Sequence, residues 1–164
     1  MNRFLSLILF FALTSCTKKE VPFDMFVFSV GSYTKDFSVK IDNSDTVYYQ
    51  NRFKMKTGRN YYAVPKKADM DSLVAIIKKL EFSRYDTFYL QQNLMDGAGI
   101  KFLKRKGKTE DWVYFYGDID PKDLNVYANK LYILTKRISF KPYSKKIDLG
   151  NLKYVQIPEV PFTP

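Results

Sequence analysis

One cysteine, Cys16, and no histidine set the chemistry open to this 164-residue chain. Without histidine there is no Ser-His or Cys-His nucleophile and no ordinary histidine-containing zinc site. Catalysis would fall to carboxylates, lysines and tyrosines. Carboxylates group twice. Asp118, Asp120 and Asp123 bracket Pro121 and Lys122, and clustered oxygens suit a hard cation. The same residues are what a helix start requires, with Asp120 as N-cap, Pro121 at the first helical position and Asp123 in the first turn. Lys122 would also weaken a cation there. Asp42, Asn43, Ser44 and Asp45 are the second oxygen-rich stretch, and their short side chains can bond their own backbone in a turn. No metal is assigned to either. Asp96-Gly97-Ala98-Gly99 lacks the spaced glycines and the Lys-Ser/Thr of a phosphate loop. Basic residues form two clusters: Lys101, Lys104, Arg105, Lys106 and Lys108, then Lys136, Arg137, Lys141, Lys145 and Lys146. The first cluster together with Lys136 and Arg137 is the expected anion-binding face. No catalytic residue and no cofactor is assigned.

Cys16 stands at the end of an apolar run. Asn2 and Arg3 open the chain, and Phe4 to Leu13 is apolar except for Ser6. Such a run is roughly 15 Å long as a helix, whereas a membrane span needs about 20 apolar residues. A basic start, a short apolar stretch and small residues after it form the pattern of a secretory signal. Within it, Leu13-Thr14-Ser15-Cys16 resembles the lipobox of bacterial lipoproteins: an aliphatic residue, two small residues, then cysteine. The resemblance implies diacylation of the Cys16 thiol, cleavage before Cys16 and frequent acylation, typically by palmitate, of the new amino group. Thr14 and Ser15 are small enough to admit a peptidase, and a thiol is a good nucleophile for a glyceryl group. Two or more chains anchor stably, at about 0.8 kcal/mol per buried CH₂. Residues 1–15 are then the signal and 16–23 a lipid-anchored linker. By the same analogy Thr17, in place of aspartate, favours the outer membrane facing the periplasm in a Gram-negative host. Lys18-Lys19-Glu20 lacks the acidic character associated with export to the cell surface.

A mature chain of about 150 residues can bury a sizeable core as one domain. Hydrophobic residues make up 46% and charged residues 27%, which places it among folded globular domains. With its only thiol acylated the domain has no disulfide, so packing alone must hold it in an oxidising compartment. Its 14 Phe and 13 Tyr suit that need, because each ring buries a large area. A stacking platform for sugars or bases is the other use of such rings. The net charge of +10 would suggest nucleic acid in a cytoplasmic protein. For an exported lipoprotein the available polyanions are lipid head groups, lipopolysaccharide phosphates and acidic wall polymers. The linker from Thr17 to Phe23 reaches at most roughly 25 Å, so the domain starts close to the membrane surface, where basic groups within a Debye length of about 8 Å feel it.

The remaining chain must build that domain. Strands are expected at Met25–Val30, Asp36–Asp42, Thr46–Gln50 with an extension through Met55, and Tyr61–Val64 before Pro65; the first has Phe26, Phe28 and Val30 on one face and Met25 and Val27 on the other, so both its faces are expected to be covered, and the second alternates cleanly. In the second of these, Phe37, Val39 and Ile41 face inward and Ser38 and Lys40 outward. Met70, Leu73, Val74, Ile77 and Leu80 predict a helix, with Asp69 as N-cap and Lys78 and Lys79 in its last turns. Ser83 to Gly99 reads as a long loop. Ile100–Lys106 and Trp112–Tyr116 form a second hairpin about Gly107. Leu124, Tyr127, Ala128, Leu131, Leu134 and Ile138 mark a second helix, and Leu152–Ile157 a last strand.

The expected fold is α+β, a mostly antiparallel sheet laid out as a hairpin meander and packed with two amphipathic helices. It occupies residues 24–158, followed by a Pro-rich tail at 159–164. In layout and aromatic content the mature part resembles small bacterial envelope lipoproteins built of a hairpin meander, a helix, a second hairpin and a helix; no catalytic motif comes with that resemblance. The function these observations imply is a membrane-anchored, non-enzymatic interaction or accessory module of the cell envelope. Its partners would be the membrane, through its lipid, and an envelope protein or an anionic lipid or glycan, with no role for nucleic acid. A glycan-acting enzyme using paired carboxylates is one alternative. An inhibitor of an attacking hydrolase is another, disfavoured because lysozymes are commonly basic and so is this chain.

Overall fold

The structure, a computed structural model, describes residues 21–53, 59–94, 96–119, 121–153 and 155. Cys16 with its signal and most of the linker, Asp120 and the chain from 156 onward lie outside the described residues, as do Lys54 and Met55 of the expected extension after Gln50. No described helix is long and apolar enough to cross a membrane.

Eight strands form one sheet. They are β1 (Met25–Gly31), β2 (Asp36–Asp42), β3 (Val47–Asn51), β4 (Arg59–Ala63), β5 (Phe88–Leu90), β6 (Gly99–Lys106), β7 (Thr109–Tyr116) and β8 (Lys141–Pro142). Their order is β5-β7-β6-β1-β2-β3-β4-β8. Every pairing is antiparallel except β5 with β7. Two helices complete the α+β fold, α1 (Lys67–Lys79) and α2 (Asp123–Lys136).

The turns form for the reasons their residues suggest. Between β2 and β3 the Asp42 carboxylate accepts the Ser44 backbone N–H at 3.0 Å, and Asp45 takes a positive φ of 59°. At the tip of the β6–β7 hairpin Gly107 sits at φ 58°, a region that costs glycine nothing.

Both faces of the sheet are covered. On the first face Phe26, Phe28, Phe37, Phe102 and Phe115 are buried together with Leu73 and Ile77 of α1 and Leu124 and Leu131 of α2. Their rings touch in a chain: Phe26 to Phe102 at 6.1 Å, Phe28 to Phe102 at 5.7 Å and Phe102 to Phe115 at 5.8 Å. Contacts of this kind add about 0.5–1.5 kcal/mol each beyond area burial. On the second face Met25, Val27 and Leu103 are covered by Ile147 and Leu149, with Tyr143 and Leu152 beside them. The segment after β8 is therefore a strap laid across the sheet. Every residue of β1 is buried, so the first strand in sequence is the centre of the molecule.

Several boundaries differ from the sequence reading. α1 begins at Lys67 with Lys66 as cap, and Asp69 lies in its first turn. α2 begins at Asp123 rather than Pro121, because the preceding turn is tighter: Leu124 N–H donates to Pro121 O at 3.3 Å before regular bonding starts. The loop expected at Ser83 to Gly99 contains β5, a strand too short for periodicity to mark. The last strand is Lys141–Pro142, and the described residues of Leu152–Ile157 are not a strand. Ser38, expected to face outward, is fully buried, because its face of the sheet is covered as well.

Gly31 marks where the strap closes on β1. A Cβ there would run into the Val155 carbonyl oxygen. Gly31→Ala should therefore destabilise the fold by about 2 kcal/mol, in the range of core overpacking. Urea unfolding monitored by circular dichroism measures this, and an unchanged midpoint would show that the strap does not press on β1.

Candidate functional site

The seven expected anion-binding residues do not form one surface. Lys101 lies inside the molecule, 2% exposed. Its ammonium donates to the carbonyl oxygens of Asn151 at 2.7 Å and Lys153 at 3.3 Å, and lies 4.4 Å from the Trp112 ring centre. Burial pushes its pKa below the ordinary lysine value, partly opposed by Glu110. Lys101 thus ties down the strap and is closed to an outside anion. Lys104 lies 3.6 Å from Asp111 and covers the Phe82 ring at 4.8 Å. Arg105 is shared by Glu110 at 2.9 Å and Asp148 at 3.0 Å. The Asp148 carboxyl is held below its usual range by the Gly150 N–H first and by Arg105 second. Lys106 and Lys108 are exposed at the hairpin tip.

Lys136 and Arg137 sit at the opposite end. Arg105 pairs with Met25, the first residue of β1. Lys136 lies against Tyr132, which packs on Phe37, and Phe37 pairs with Val30 near the end of β1. The two groups are separated by about 20 Å along the strands. The carboxylates of the Asp118–Asp123 stretch are engaged separately, whereas Glu81, Glu110 and Asp111 line one cavity of about 490 Å³, where Glu110 is held by Arg105 and Asp111 lies beside Lys104. Asp118 pairs with Lys122 at 3.0 Å, and Asp123 accepts from the Tyr85 hydroxyl at 2.6 Å. No three acidic or cysteine side chains among the described residues are grouped to hold a metal ion.

What the fold assembles instead is a groove at the Gly31 end of the sheet. It runs along α2 from Asn125 to Lys136 and beside the turn joining β1 to β2. A cavity of about 360 Å³ is lined by Phe37, Tyr49, Phe53, Phe140, Tyr132 and the stem of Lys136. A neighbouring cavity of about 370 Å³ has an apolar floor of Phe28, Val30 and Ala128, with Ser32, Asn125 and Asn129 among its polar lining. Both are lined by Thr34, Lys35, Phe37 and Tyr132. Each volume is in the range that holds small ligands.

The sequence produces this groove from four distant pieces. Alternation in β2 and β3 turns Phe37 and Tyr49 to the same face, where their rings stack at 5.6 Å. Helical spacing places Tyr132, Thr135 and Lys136 on the side of α2 that meets them. Phe140 closes the far side, 5.4 Å from Tyr49. The tight β1–β2 turn, held by Ser32 N–H donating to Lys35 O at 2.7 Å, delivers Lys35.

Charge concentrates on Tyr132. The Lys35 ammonium is 4.6 Å and the Lys136 ammonium 5.5 Å from its ring centre, a cation–π geometry. Both lysines are exposed, and neither forms an ion pair with a carboxylate among the described residues. Burial opposes ionisation of the phenol, yet the two lysines together outweigh it and hold its pKa below the usual tyrosine value. Asp36, which lines the same cavity, is committed: Arg52 grips it at 2.7 Å and also donates to the Ser38 hydroxyl at 2.6 Å. The groove therefore offers two open cations above a floor of rings.

Lys136 was visible in the sequence as part of a basic cluster. Lys35 and Tyr132 carried no signal, since one lies in a turn and the other reads as part of an ordinary helix. Their relation is purely tertiary. No protein-family model matches the sequence, and no curated protein is significantly similar to it.

The charge balance at Tyr132 has a direct readout. Replacing Lys35 and Lys136 together with methionine leaves only burial acting on the phenol. Its pKa should then move from below 10.0 to above it. Tyrosine-resolved NMR titration follows this, and an unchanged value would mean that the ammoniums do not act on the ring.

Proposed function

We propose that this chain is a lipid-anchored protein of the cell envelope that acts as a non-enzymatic binding module, taking an anionic envelope component in the groove around Tyr132. The observation that carries the reading is the pair of uncompensated ammonium groups, Lys35 and Lys136, on one phenol ring over an aromatic floor. An anion placed there gains charge-assisted hydrogen bonds and displaces no existing carboxylate. Of the two acids that line the groove, Asp36 and Asp96, Asp36 is held by Arg52, and a glycosidase needs a pair of carboxyls free to act as acid and base. The finer layout fits the same reading: a hairpin meander carrying two amphipathic helices, with the groove formed where the second helix leaves the sheet.

The lipid anchor rests on Leu13-Thr14-Ser15-Cys16. The fold supports one orientation for such an anchor. Asp24 accepts the Gly107 N–H at 2.6 Å, so the linker leaves the domain beside the β6–β7 tip. An anchor at Cys16 holds that end, with Lys106 and Lys108, toward the lipid head groups. The groove lies at the other end and opens into the envelope space.

Two measurements test this. Cys16→Ala should lose metabolic palmitate labelling and shift from the membrane to the soluble envelope fraction; label and location surviving the substitution would reject the anchor. For the groove, benzoate is a minimal anion with an apolar ring. Titrated into the full chain in detergent, it should slow hydrogen exchange in segments 32–37 and 125–138, and benzyl alcohol should not. Lys35→Gln with Lys136→Gln should weaken benzoate by about tenfold or more, the loss of charged hydrogen bonds. Equal protection by the alcohol would reject an anion site.

A further inference from the structure

Resting on the reading of the groove as an anion site, we infer that its ligand class is an acidic oligosaccharide, bound with one carboxylate between Lys35 and Lys136 and its sugar rings along the two cavities. Four features of the groove point to this class.

The first is sparse charge. Two lysines converge, while Asp36 lines one cavity and Asp96 the other. A polyphosphate backbone, with a charge on every unit, would meet those carboxylates. A chain with an isolated anionic group between neutral units would not.

The second is the floor. Tyr49, Phe140 and Tyr132 are only partly buried and line an open cavity. The apolar C–H faces of a sugar ring lie well on aromatic side chains, which supply rigid area at low entropic cost.

The third is the rim. Ser32, Thr34, Asn125 and Asn129 line the second cavity, and Asn51 the first. Hydroxyls and amides both donate and accept, as a neutral polyol requires. An alkyl chain would make no hydrogen bond with any of them.

The fourth is extent. The cavities adjoin through Thr34, Lys35, Phe37 and Tyr132, so the site is elongated and polar-edged. A fatty acid calls for an enclosed apolar bore, and a single small aromatic anion would fill one cavity and leave the other empty.

The test is equilibrium titration of the full chain in detergent with a hyaluronan tetrasaccharide, in which each glucuronate alternates with a neutral N-acetylglucosamine, its fully methyl-esterified form, benzoate and a long-chain fatty acid, with hydrogen exchange as the map. The acidic tetrasaccharide should bind most tightly and protect both 32–37 and 125–138. The methyl ester, neutral but otherwise the same, should be weaker by about tenfold or more. Lys35→Gln and Lys136→Gln should each lower affinity for the acidic tetrasaccharide, and Lys108→Gln at the distant hairpin tip should not. Tyr132→Phe keeps the ring and should retain most of the affinity, whereas Tyr132→Ala should lose it; unchanged far-ultraviolet circular dichroism in both separates this from misfolding. Benzoate or the fatty acid binding as tightly as the tetrasaccharide would overturn the saccharide class while leaving the anion site standing. No protection by any of the three acids would overturn both. Equal binding of acidic tetrasaccharide and ester would overturn the role of the two lysines.

Discussion

The ammonium of Lys101, buried between a sheet and the strap that covers it, is the contact on which the second face of the molecule depends. A lysine so placed must be hydrogen-bonded or lose its charge. Here it finds the carbonyls of Asn151 and Lys153 and the face of Trp112. Those bonds order a stretch with almost no regular structure, and the stretch in turn covers Met25, Val27 and Leu103. With helices on the other face, β1 becomes a fully buried strand. The hydroxyl pair of Ser29 and Ser38, 2.6 Å apart, extends the polar row from Lys101 toward Arg52, Gln50 and Asn60. Asn60 bonds the strap again through Lys145 O at 2.8 Å. One face of the sheet is thus apolar and aromatic, and the other is stitched by polar side chains to a nonregular segment.

That division decides where ligands can go. The strap occupies the second face, and α1 and α2 occupy most of the first. Open margins remain between α2 and the β1–β2 turn, and at a further cavity of about 490 Å³ where α1 ends against β6 and β7, which is lined by Glu81, Glu110 and Asp111 as well as Lys104. Of these, the α2 margin is the cationic one. Two lysines meet there without carboxylate partners among the described residues, while at the opposite end Arg105 is neutralised by Glu110 and Asp148. The chain's net charge of +10 is therefore a poor guide to its binding surface. Pairing within the fold, rather than the count of basic residues, selects which cations remain available.

Much of the sheet was legible because its strands alternate or run continuously apolar. β1, β2, β6 and β7 fall close to their expected positions, and Met70, Leu73, Val74 and Ile77 of α1 are buried as their spacing requires. β5 and β8 were not legible, since strands of three and two residues carry no period and exist only through the neighbour they pair with. The inward turn of Lys101 was hidden for a related reason. Alternation assigns a lysine to the polar face; the apolar Met25 and Val27 opposite Phe26, Phe28 and Val30 hint that β1 is covered on both sides, but nothing local extends that cover to Lys101 on the neighbouring strand.

From the sequence alone came the α+β class, the absence of histidine chemistry and a lone cysteine in a lipobox-like setting; each is a matter of composition or of residues adjacent in the chain. Only the tertiary structure decided that Lys101 is an internal tie, that Arg105 and the hairpin-tip lysines lie at the opposite end from Lys136, and that Lys35, Tyr132 and Lys136 share a groove. The physical reason is that a side chain's availability depends on what packs against it, and those neighbours are drawn from segments that sequence distance keeps apart.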